Sequence, residues 1–204
     1  MLISAIRQTS ADRLTISLED GTEIKSTLGV VTELRLFSGR DMDEEALNEL
    51  RLLSVRSLAR DRAIEYISRR RMSSSELYRK LCDKGEDEET AQYCIDWLMD
   101  KGFLNDESYA AAVARHYSAK GYGAGRIRSE LHRRGVEREL WDEAVEQMHD
   151  SSGKIDKFIA SRLKDPNDRD QLRKVSAALY RRGFSWEEIR SALRRFDAQT
   201  EDLE

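Results

Sequence analysis

The chain has 204 residues, 39% of them hydrophobic and 36% charged, with one proline, 11 glycines and two cysteines. Its 35 Lys+Arg nearly cancel its 39 Asp+Glu, leaving a net charge of -4, which argues against a disordered polyelectrolyte and for a folded, mostly helical protein. No apolar run approaches the roughly 18 residues of a membrane helix, Met1-Leu2-Ile3-Ser4 lacks the features of a secretory leader, and two cysteines are too few for a disulfide framework. The expected location is the cytoplasm, without membrane association, and Cys82 and Cys94 read as reduced core thiols.

The first forty residues have their own texture. Leu14, Ile16 and Leu18 alternate with polar residues, Asp20-Gly21 supplies a turn, and Ile24 lies on the return path, which together predict a β-hairpin. A strand around Ile3 to Arg7 and the apolar run from Val30 to Phe37 are expected to complete a small β unit. This segment would serve either as a cap on the helices that follow or as a pairing edge for a partner. From Asp41 the spacing turns helical, with Leu47, Leu50, Leu53 and Leu58 recurring behind acidic residues suited to a helix start.

Beyond residue 60 the chain repeats. The pattern Leu-x-x-Lys/Arg-Gly occurs at Leu81–Gly85, Leu131–Gly135 and Leu179–Gly183, each leucine preceded four residues earlier by Leu77, Ile127 or Val175. Such pairs face one way on a helix that stops at the glycine. The glycines are about 50 residues apart, room for three short helices, and such arrays bury their apolar faces mainly against neighbours. A further copy, Leu98–Gly102, closes another helix inside the first repeat. Capping boxes are expected at Ser73 to Glu76 and Ser185 to Glu188, and carboxylates at helix starts at Asp87 to Glu89 and Asp106-Glu107. The resulting division is a β segment at 1–40, a connecting helix at 41–59, three-helix repeats at 60–106, 107–150 and 151–196, and an acidic tail at 197–204. Lys164 to Asp168, with the single proline, lengthens a connection in the third repeat. Trp97, Trp141 and Trp186 read as core or half-buried anchors rather than base-stacking platforms.

Catalytic patterns are missing. His116, His132 and His149 begin no zinc-ligand spacing with the cysteines. Gly121 to Gly125 is glycine-rich and precedes a helix, but it lacks the Gly-Lys-Ser/Thr ending of a phosphate loop and is expected to be a flexible connection. Glu86 to Glu89 reads as a helix N-terminus rather than a metal site. The chain is therefore expected to be no enzyme and to need no cofactor. What remains is local positive charge: residues 151–196 hold 12 Lys+Arg against 6 Asp+Glu. Arginines recur at comparable places in the repeats: Arg69, Arg70 and Arg71; Arg126, Arg128, Arg133 and Arg134; Arg181, Arg182, Arg194 and Arg195. As a set they are expected to form a discontinuous basic stripe for nucleic-acid phosphates or an acidic protein surface.

The run Gly102-Phe103-Leu104-Asn105-Asp106-Glu107-x-Tyr109-Ala110, then Tyr122-Gly123, then Ile127-x-x-Glu130-Leu131-x-x-Arg134-Gly135-Val136, resembles the signature of the bacterial RecX family, modulators of the RecA recombinase. Ser75-Glu76-Leu77-x-x-Lys80-Leu81-x-x-Lys84-Gly85 is similar to that family's first repeat, and the resemblance spans roughly residues 58 to 196. It implies a mainly α protein of tandem three-helix repeats in an elongated, curved array, behind the small N-terminal β-hairpin segment. It also implies a regulator that binds the RecA filament on single-stranded DNA and inhibits its ATP hydrolysis, strand exchange and coprotease activities, in DNA repair, recombination and the SOS response. The expected partners are that filament and single-stranded DNA, with duplex DNA weaker, and the expected state is a monomer. Two other readings stay open from sequence: a protein that binds nucleic acid directly, since each repeat loosely resembles a helix-turn-helix, and a helical adaptor for an unrelated partner.

Overall fold

The computed structural model describes residues 1–147, 152–165 and 168–201, with Ser152 and residues 198–201 described by backbone alone. His149, Pro166, Asn167 and residues 202–204 of the acidic tail, singled out above, lie outside the described residues. The chain divides into two compact units, Met1–Met72 with Glu76–Leu104, and Ser73–Ser75 with Asn105–Glu204.

In the first unit, strands β1 (Ile3–Gln8), β2 (Arg13–Leu18) and β3 (Glu23–Thr27) form an antiparallel sheet in that order. Ile16 pairs with Ile6 on one side and Ile24 on the other, so the alternation in β2 puts Leu14, Ile16 and Leu18 in the core. Gly21 takes φ +86° in the β2–β3 turn, which its lack of a Cβ permits. The apolar run from Val30 to Phe37, expected to complete the β unit, instead begins in helix α1 (Leu28–Glu33). Thr27 caps it by accepting from the Val30 N–H, and Val30 packs on the sheet beside Leu47 and Leu50, with Val31 and Leu34 at the flank of the same cluster. Spacings of three and four fit one helical face as well as a short apolar run fits a strand.

Helix α2 (Glu44–Arg69) starts at Asp43, whose carboxylate accepts from the Ala46 N–H at 2.8 Å. It runs through the expected boundary between residues 59 and 60. Its N-terminal half contributes Leu47 and Leu50 to the sheet's core, and its C-terminal half contributes Ala59 and Ala63 to a second core with α3 (Ser74–Asp83) and α4 (Glu88–Asp100). Two buried hydroxyl pairs, Ser26–Ser54 and Thr27–Ser57, both 2.8 Å, satisfy polar groups between β3 and α2. On the flank of α2, Arg56 lies over the Tyr93 ring and Arg60 over Trp97, a cation–π pairing repeated one turn apart. Cys94 is buried, and burial pushes its thiol up to about 11, in keeping with a core residue.

In the second unit, α5 (Asp106–Ala119), α6 (Ala124–Arg133), a 3-10 turn (Arg138–Leu140) and α7 (Trp141–Glu146) enclose one core. Helices α8 (Ser152–Ala160), α9 (Arg169–Arg181) and α10 (Trp186–Glu201) enclose another. The repeated motif is a helix stop. Gly85, Gly102, Gly135 and Gly183 all have φ between +68° and +95°, and the next residue's N–H bonds back to the carbonyl of the motif leucine: Glu86 to Leu81, Phe103 to Leu98, Val136 to Leu131, Phe184 to Leu179. That is the Schellman arrangement. The same leucines are fully buried, so one motif ends the helix and anchors it in its core.

Candidate functional site

Within the second unit the glycine-rich segment is packed, not a flexible connection as expected. The Gly123 N–H donates to the Arg182 carbonyl and the Gly125 N–H to the Gly183 carbonyl, both at 2.9 Å. These are unpaired N–H groups at the start of α6 meeting unpaired carbonyls at the end of α9, so each helix end satisfies the other and the two dipoles are complementary. The approach leaves no room for side chains. A Cβ on Gly123 would lie 2.5 Å from the Gly183 oxygen, and one on Gly183 would lie 2.1 Å from the Arg126 nitrogen. Here glycine is required by backbone-to-backbone contact, a demand that the helix-stop motif alone does not impose.

This seam forms the floor of a groove of about 460 Å³. Arg126, Arg128 and Ser129 face it from α6, and Tyr180, Arg181 and Glu188 from α9 and α10. Glu188 accepts from the Ser185 N–H at 2.7 Å, while Ser185 Oγ accepts from the Glu188 N–H at 3.2 Å. That is the expected capping box at the start of α10. Arg128 reaches the exposed Asp142 at 2.9 Å. Arg126 and Arg181 are exposed and have no ion pair or side-chain hydrogen bond among the described residues. Tyr180 and Trp186 stack at 5.2 Å between ring centroids and 20° between planes, and they are 55% and 52% exposed.

The other candidate arginines sit in different chemistry. Glu130, with a side chain 4% exposed, accepts from Arg133 Nε at 3.1 Å and from Arg134 Nε at 2.8 Å. Arg134 also donates to the Tyr109 hydroxyl at 2.6 Å. Hydrogen bonding to Arg133, then to Tyr117 and Arg134, holds Glu130 down to about 2 against the opposing effect of burial. Burial works against the Arg134 charge, but its bonds to Tyr109 and Glu130 prevail and raise its pKa. The Arg182 guanidinium lies over the Phe158 and Tyr122 rings and donates to the Gly121 carbonyl at 3.3 Å. Arg134 and Arg182 are thus framework residues. Arg195 bonds Asp156 at 2.7 Å, while Arg194 is exposed. In the first unit Arg69 pairs with Glu65, Arg70 lies 3.6 Å from Glu76, and Arg71 is exposed.

Of the candidates, the structure gathers Arg126, Arg128 and Arg181 into one groove. Tyr180 is not among the residues singled out from sequence, and Trp186, expected to be a core or half-buried anchor, is exposed. Tyr180 lies off the stripe of Leu172, Val175 and Leu179, a readable sign of exposure. Trp186 stands three residues before the buried Ile189, so its spacing alone predicts burial, yet it begins its helix and projects past the core. Trp97 and Trp141 are half-buried anchors, as expected, and the Trp141 indole N–H donates to the Val136 carbonyl at 2.9 Å. Asp87 caps α4, Glu86 pairs with Arg62 and Glu89 with Arg56, so the carboxylate run is occupied locally.

Comparison with known proteins bears on the whole helical part. Residues 59–98, 105–145 and 158–193 match the models of the first, second and third three-helix domains of RecX. The regulatory protein RecX of Xanthomonas axonopodis pv. citri is 37% identical over 141 residues, covering 68% of this chain and 86% of that protein. RecX of Pseudomonas entomophila is 33% identical over 133 residues, covering 62% and 84%. A crystal structure of a regulatory protein RecX superposes with a TM-score of 0.74 at 23% identity, covering 97% of this chain and 98% of the other. RecX from Lactobacillus salivarius gives a TM-score of 0.63 at 21% identity over 71% of this chain. The two structural likenesses show the fold.

Proposed function

The chain belongs to the RecX family, and from that membership we propose that it regulates the RecA recombinase by binding the RecA filament on single-stranded DNA. In this reading it lowers ATP hydrolysis, strand exchange and coprotease activity through binding alone, as a cytoplasmic monomer acting in DNA repair and the SOS response. The observation that supports a binding surface is the groove, where Arg126 and Arg181 hold positive charge that no carboxylate of the described residues neutralises. Such cations are available to phosphates or to an acidic protein face. Regulation then follows from preference: a protein that grips one filament geometry shifts the filament toward it by the difference in affinity.

The test is single-stranded-DNA-dependent ATP hydrolysis by the cognate RecA, titrated with this protein at two DNA concentrations. Inhibition at far fewer copies than RecA, seen at both DNA concentrations, is the expected result. No inhibition at either DNA concentration overturns the reading. Changing Arg126, Arg128 and Arg181 together to Gln is expected to weaken filament binding and flatten its salt dependence. Arg134 and Arg182 are unsuitable for that purpose, because their loss disturbs the framework.

A further inference from the structure

The stacked pair Tyr180–Trp186 has no part in either core of the second unit. Both rings are more than half exposed, each covers one face of the other, and Tyr180 lines the groove that holds Arg126, Arg128 and Arg181. Exposing two large aromatic rings side by side forgoes burial that either would otherwise gain. We propose that this pair and the arginine groove beside it form a binding site for single-stranded nucleic acid, in which an unpaired base stacks on the exposed rings and the adjoining phosphates lie along the three guanidiniums.

One observation favours this occupant over an acidic peptide, and two more suit its phosphates. The rings are already within 20° of parallel, so a planar base extends a stack that exists. The groove's cations are guanidiniums, matched to phosphate oxygens, and Arg126 and Arg181 have no ion pair among the described residues. Its carboxylate, Glu188, is engaged by the Ser185 N–H within the capping box. An acidic peptide satisfies the charges but supplies no flat face for the rings; a duplex supplies phosphates but keeps its bases stacked inside. The site therefore prefers unpaired strands. This deepens the proposed function, whose filament contact does not require that any base be touched.

The experiment is fluorescence anisotropy of the full chain with three labelled probes of equal length and at one salt concentration: oligo(dT), an abasic oligomer, and a duplex. The wild-type protein is expected to bind oligo(dT) roughly tenfold more tightly than the abasic strand. Y180A/W186A is expected to lose that preference while retaining affinity for the abasic strand, and Y180F/W186F to keep most of it. R126Q/R128Q/R181Q is expected to weaken all three probes and keep the preference. Equal wild-type affinity for oligo(dT) and the abasic strand overturns the proposal and needs no variant to be folded. So does a Y180A/W186A protein, native by circular dichroism, that keeps its base preference but no longer inhibits RecA, since the rings are then a protein anchor. Inhibition of RecA by wild type without base preference leaves the family reading standing and removes this one; base preference without inhibition does the reverse.

Discussion

The two ends of α6 carry two arginines each and are anchored in different ways. At the N-terminal end the backbone does most of the holding, through Gly123 and Gly125 against Arg182 and Gly183; Arg128 pairs only with the exposed Asp142, and Arg126 has no partner among the described residues. At the C-terminal end the side chains do it, and Glu130 occupies both Arg133 and Arg134. Backbone contact leaves charge for recognition, whereas side-chain contact consumes it. Counting arginines cannot separate the two cases; locating the buried carboxylate does.

The largest effect is expected at the N-terminal end. Gly183→Ala combines φ +89° with a Cβ 2.1 Å from a backbone nitrogen, and it should cost about 3 kcal/mol or more in urea unfolding. Gly85 has the same role in its motif and φ +95°, with nothing within 4 Å of the added carbon, so Gly85→Ala should cost only about 1 kcal/mol. Their difference measures the seam, and equal costs would refute it.

The C-terminal end should respond to acid. Glu130 has a folded pKa of about 2 against an ordinary 4.5, so its stabilisation is complete above pH 4.5 and drains away as pH falls through about 2. The corresponding loss is about 3 kcal/mol, and Glu130→Gln should remove that part of the pH dependence in acid unfolding curves. A smaller effect is expected for Arg134→Met, about 2 kcal/mol, because its side chain is 22% exposed and serves two partners. Arg133→Met, at a side chain 68% exposed, should cost under about 1 kcal/mol by thermal denaturation. Smallest of all, Arg126→Gln and Arg181→Gln should change stability by less than about 0.5 kcal/mol while weakening polyanion binding in a titration of the folded chain.

Much of this fold is legible in the sequence because its signals are local. A buried leucine four residues ahead of a left-handed glycine states where a helix stops and which face it buries, and the motif does so four times. The Asp20-Gly21 turn and the alternation in β2 fix the hairpin in the same way. Val30 to Phe37 is ambiguous in sequence because a short apolar run fits both periods, and the deciding interaction is one cap from Thr27. The site was legible only in part. Arg126, Arg128 and Arg181 are visible as charge, but what distinguishes them from Arg134 and Arg182 is contact across the fold: Tyr109 lies 25 residues from Arg134, and Gly121 lies 61 residues from Arg182. The glycine seam escaped for the same reason, since a glycine needed for another backbone's approach looks in sequence like one needed for freedom.

Helix α2, about 39 Å long at 1.5 Å per residue, belongs to two cores at once. Neither the sheet nor the first helical module can melt without stripping one half of it, so the two should unfold as a single cooperative block, with the slowest amide exchange in the helix's middle turns. Trimming the chain at residue 40 would also lay bare the stripe of Leu47 and Leu50, a sticky surface on helix α2. Such a truncation tests solubility before it tests any role in binding.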